Sequence, residues 1–141
     1  MNYIGNSSNS KQKYLYFRTE ATDANDDATG DSALFPASSL MGMQPTSDTA
    51  LTLYFKSMVR GSGNEGAGDA LVNLDNNDTV IVTISANTHL AAMQAIVESI
   101  NNNNSSALVV VANDDSDSAE YLSGSGISAC GVISVAVAYA N

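Results

Sequence analysis

An α+β fold, mostly antiparallel sheet or sandwich with one packed helix, is predicted by three observations. Short segments of alternating apolar and polar residues recur along the chain. Turn-forming clusters rich in Asp, Asn, Gly and Ser separate them. One stretch alone, "NTHLAAMQAIVESI", has helical periodicity. About six to seven strands are expected, with an amphipathic helix over about residues 88–101 packed on them.

The elements follow in order. Residues 1–12 are polar and read as a flexible N-terminal arm, and residues 13–141 as a single β-rich domain. The first strand covers residues 13–20, with Leu15, Phe17 and Thr19 on one face and Tyr14, Tyr16 and Arg18 on the other. A polar loop, "ATDANDDATGD", follows. Pro36 and Pro45 bracket "SALFPASSLMGMQP", which reads as a short turn and an extended piece. Met41 and Met43 are gap-filling core or interface residues. The second strand covers residues 50–58, with Leu51, Leu53 and Phe55 on one face. "RGSGNEGAGD" is a Gly-rich loop, "ALVNL" a short strand and "DNND" a turn. Residues 79–85 form a strand with Val80, Val82 and Ile84 on one face.

The helix, capped by Asn87 or Thr88, aligns Leu90, Met93, Val97 and Ile100, with Ile96 widening the stripe. Residues 101–104, all Asn, end it. "ALVVVAN" is a wholly apolar, central strand. "DDSDSAEYLSGSG" is loop with some local structure at Tyr121, and "ISACGVISVAVAYAN" is a long last strand with a bulge at Gly131.

Charge and composition narrow the function. The net charge is −10, and all five Lys and Arg residues precede Gly61. Such a surface repels phosphate, so nucleic acid is not an expected partner. No apolar run reaches the ~20 residues of a membrane helix, and no signal peptide is expected. The lone Cys130 reads as a small buried hydrophobe.

The candidate chemistries are weak. "GSGNEG" matches the dinucleotide fingerprint in spacing, but the helix that should open at its third glycine is missing, and Glu65 and Asp69 would face the pyrophosphate. "DANDDA" begins like a calcium loop, but Ala28 replaces its glycine and Leu34 its terminal glutamate. It reads, with "DNND" and "DDSD", as a solvated acidic turn open to adventitious Ca²⁺ or Mg²⁺. His89 is the only histidine, which excludes a multi-His metal site. It reads as a surface residue. No G-x-S-x-G elbow and no Trp are present. No enzyme, catalytic residue, metal or cofactor is expected.

"LYFRT" (from Leu15) and "LYFKS" (from Leu53) share an offset of 38 residues (53 − 15), as do Gly30-Asp31 and Gly68-Asp69. This is either an ancestral duplication or two strands meeting one packing need. The expectation is that the two strands are neighbours or equivalents in one sheet. Tyr14, Tyr16, Arg18, Tyr54 and Lys56 are then a candidate subunit interface, since Tyr and Arg are favoured at interface centres.

The segment order, with "YLYFRT", "LYFKS", "SANTH" before the helix and "YLS" before the last strand, resembles small structural proteins of marine tailed phages that infect cyanobacteria. The resemblance covers nearly the whole chain from Lys13. It implies a virion protein, assembled in the host cytoplasm, that decorates or cements the capsid. Its partners would be other copies of itself and a major virion structural protein. The alternatives are a tail, tube or fibre-associated subunit and, in another class, a small secreted ligand- or glycan-binding module. The cation-bearing early half and acidic later half would give head-to-tail attraction between subunits.

Overall fold

The computed structural model describes residues 12–58, 77–104 and 106–135. Among the described residues are eight strands and one α-helix: β1 (Tyr14–Arg18), β2 (Ser32–Pro36), β3 (Leu40–Ser47), β4 (Ala50–Lys56), β5 (Asn77–Ile84), α1 (His89–Asn101), β6 (Leu108–Asn113), β7 (Glu120–Tyr121) and β8 (Ile127–Ser134). They form two four-stranded sheets, in the orders β2-β1-β6-β7 and β3-β4-β5-β8. All pairings are antiparallel except β1 with β6, which is parallel. A parallel neighbour needs a long crossover. Here the chain goes through β2, three strands of the second sheet (β3, β4 and β5) and α1 before β6 returns beside β1.

The core lies between the sheets. Alternation turns Leu15 and Phe17 of β1, Leu51, Leu53 and Phe55 of β4, and Val80, Val82 and Ile84 of β5 inward, and all are buried. Three phenylalanines form its centre. The Phe35 and Phe55 rings stack at 4.1 Å, and Phe17 meets both edge-on at about 6 Å. "LYFRT" and "LYFKS" therefore lie in different sheets, not in one as expected. They face each other across the core, with Phe17 on Phe55. Each is an inner strand of its sheet with the same need for bulky inward side chains.

The Pro-bracketed segment is more regular than expected. It forms β2, a 3₁₀ turn at Ala37–Ser39, and β3. Pro36 ends one edge strand and Pro45 lies in another, where a missing N–H is tolerated. "DNND" also differs. Asn77 and Asp78 already belong to β5, and Asp78 is fully buried, its carboxylate accepting the Met58 N–H at 2.8 Å. "GSGNEG", "ALVNL", Gly68-Asp69 and the 1–11 part of the arm lie outside the described residues.

Helix α1 starts after Asn87, which holds φ 63°. Thr88 occupies the cap position, but its hydroxyl donates to the Ser85 carbonyl rather than capping the helix. The buried stripe is Ala92 and Ile96, flanked by Met93 and Ile100. Leu90 and Val97, expected inside, are exposed. At the other end the buried Lys13 ammonium donates to the carbonyls of Asn102 (2.7 Å) and Ser106 (3.0 Å). A cation at a helix C-terminus satisfies carbonyls that have no partner within the helix and opposes the dipole.

The bulge expected at Gly131 is present. Val80 and Val82 pair with Ile133 and Cys130, so β8 carries one extra residue there. A Cβ on Gly131 would sit 2.6 Å from the Ile81 carbonyl oxygen, which only glycine avoids.

Candidate interaction surface

The five candidate residues do not form one patch. Tyr14, Tyr16 and Arg18 point to the outside of the first sheet, and Tyr54 and Lys56 to the outside of the second. With the core between the sheets, these faces look in opposite directions. The register sets Tyr54 between Gly42 and Thr79 and Thr52 between Gln44 and Ile81, so the second sheet's outer face is largely polar.

The first sheet's outer face is different. Register places Tyr14 between Pro36 and Leu108, and Tyr16 between Leu34 and Val110. Two rows of three apolar or aromatic side chains therefore cover three adjacent strands. Tyr14 is 38% exposed, Leu34 45% and Leu108 49%. Beside Leu108 and Val110, a cleft of about 380 Å³ opens between the C-terminal end of α1, β6 and β7. Glu120, Tyr121 and Asn102 also line it.

Arg18 ends this face, and it is not available to a partner. It is 6% exposed. Its Nη1 lies 2.9 Å from Asp23, 3.6 Å from Asp115 and 3.9 Å from Asp26, and Nε donates to the Glu20 carbonyl. Nη2 is buried with no hydrogen-bond acceptor among the described residues. Burial works to lower the guanidinium pKa, but the hydrogen bond to Asp23 and the charges of Asp115 and Asp23 outweigh it and raise it. Asp115 is held below the usual carboxylate range by the Ser118 hydroxyl and the Asp117 N–H, with help from Arg18. "DANDDA" and "DDSD" are thus not simply solvated turns. They fold over β1 and grip its arginine. One backbone bond ties the two loops together, Ser116 N–H to the Ala21 carbonyl, and another ties the second loop to the end of β1, Asp114 N–H to the Arg18 carbonyl.

Asp114 does a second job. Its carboxylate accepts the Cys130 N–H on the free edge of β8 and the Tyr121 hydroxyl at 2.7 Å. That bond, with burial, pushes the Tyr121 phenol up to about 12. Burial, aided by the Asp114 charge, pushes the Cys130 thiol up to about 12. Cys130 is buried, as its apolar neighbours predict.

His89 is half-buried and its Nε2 lies 2.8 Å from the Ser47 carbonyl. Among the described residues, no group of three or more His, Cys, Asp or Glu is placed to hold a metal ion. None of their helices is long and apolar enough to cross a membrane. Sequence reasoning missed Leu34, Pro36, Leu108 and Val110 as surface residues. The signal was "ALVVVAN", whose lack of alternation marks a strand with apolar side chains on both faces. Comparison with protein-family models, characterised proteins and solved structures returns no match.

Proposed function

We propose that this chain is a non-enzymatic structural protein of a phage particle, decorating or cementing the capsid through repeated subunit contacts. One observation carries the contact part of this reading: the continuous apolar and aromatic outer face of the first sheet, centred on Tyr14 and Tyr16. Exposed apolar surface rimmed by polar groups marks interaction sites. The phenylalanine-centred sandwich behind it preforms the face, which lowers the ordering cost of binding. The resemblance to marine phage structural proteins adds the particle. Repetition would then multiply a modest affinity per contact.

Mass spectrometry of purified particles from an infection that expresses the chain tests the proposal. The expected result is a copy number on the order of hundreds per particle, as symmetric coverage requires. Absence from the particles would overturn it.

A further inference from the structure

We infer that the outer face of the first sheet receives a surface with an aliphatic centre and a basic rim, belonging to a different protein and not to a second copy of this chain. This rests on the contact reading above and adds the chemistry of the partner. The centre of the face is apolar: Leu34, Tyr14, Tyr16 and Leu108. Its boundary is acidic on two sides. At the Arg18 end, the three carboxylates of Asp23, Asp26 and Asp115 exceed the one guanidinium they hold, and the Asp23 side chain is 80% exposed. On the β7 side, Glu120 is exposed at the lip of the cleft beside Leu108 and Val110. An aliphatic side chain in that cleft would place an adjacent Lys or Arg against Glu120.

Among the described residues, a second copy has little to offer such a rim. The net charge is −10. Lys13 and Arg18 are buried and engaged, so Lys56, on the opposite outer face, is the exposed cation among the described residues. The head-to-tail attraction expected from the sequence therefore lacks two of its cations at the surface. Face-to-face pairing would set carboxylate against carboxylate, which costs affinity and slows encounter.

The test uses the full chain and two synthetic probes: an amphipathic helical peptide of Leu and Lys, and its Leu and Glu counterpart. Calorimetric titration at low salt should show binding of the Leu/Lys peptide and none of the Leu/Glu peptide. Leu34→Ser and Leu108→Ser should each weaken the Leu/Lys peptide about tenfold. Glu120→Lys, an exposed change, should weaken it about threefold and reduce its salt dependence. Circular dichroism checks that each variant is folded. Equal binding of both peptides would overturn the inference. So would a Leu108→Ser effect no larger than that of Val132→Ser on the β8 edge, or a dimer in sedimentation that Leu108→Ser dissociates. Peptide selectivity fails independently of the particle reading: a chain found on particles that binds both peptides equally loses only its basic-rimmed partner. A chain absent from particles that still selects the Leu/Lys peptide keeps the partner chemistry and loses the particle.

Discussion

The Cys130 thiol is 4% exposed, and its pKa of about 12 lies well above the ordinary 9.0. A raised pKa means that the fold favours the protonated thiol. Its contribution to stability is fully present below pH about 9 and is lost as pH rises toward 12. Tyr121, also raised to about 12, acts in the same direction from its ordinary 10.0. Two results are expected: the native protein does not react with a thiol reagent at pH 8 until denaturant is added, and its thermal midpoint falls progressively above pH 9. Asp115 behaves oppositely. Its pKa is lowered, so its contribution is present above the usual carboxylate pKa of ~4 and is lost as pH falls through its depressed value. Thermal melts of Asp115→Asn should therefore show a shallower loss of stability in acid than those of the wild type. At the centre of the core, Phe17→Ala removes a ring that touches both Phe35 and Phe55, and chemical denaturation should show a loss of about 3–5 kcal/mol.

Among the elements, α1 depends on a distant residue. Lys13 precedes β1, yet it closes the helix C-terminus through Asn102 and Ser106. Lys13→Met should cost about 1–3 kcal/mol, by the loss of charged hydrogen bonds. Hydrogen exchange should rise first in the last turn of α1 and in β6, not in α1's first turn. On β8, Gly131→Ala should cost about 1–3 kcal/mol by forcing the bulge against Ile81, measured the same way. The strands were readable wherever alternation was clear. Leu15 and Phe17, Leu51 to Phe55 and Val80 to Ile84 all face as their pattern predicts. The helix was legible in extent but not in orientation, because an all-apolar stripe of five residues is wider than the contact it makes, and tertiary packing chose Ala92 and Ile96. Pro36 and Pro45 hid two edge strands, since proline looks like a breaker until the strand is known to be an edge. The proposed contact face was half legible. Tyr14 and Tyr16 were visible from the sequence, but Leu34 and Leu108 join them only through non-local pairing. The burial of Arg18 depends on loops that reach it from two parts of the chain.

At the scale of the whole molecule, the two matched pentapeptides explain the division of surfaces. Their phenylalanines meet inside, and their second faces point apart, one into an apolar surface and one into a polar one. The first of these is the proposed contact, and the acidic loops around it set what can dock there. Other exposed apolar residues offer less. Leu90 and Val97 are separated along α1 with Gln94 between them, and Val132 stands on the outer edge of the second sheet. They serve as internal controls. Hydroxyl-radical footprinting of the isolated chain and of the chain on purified particles tests the contact most directly. The account predicts that Tyr14, Tyr16, Leu34 and Leu108 lose reactivity on the particle while Leu90, Val97 and Val132 keep theirs. Unchanged labelling of the first sheet, or protection confined to α1, would contradict it.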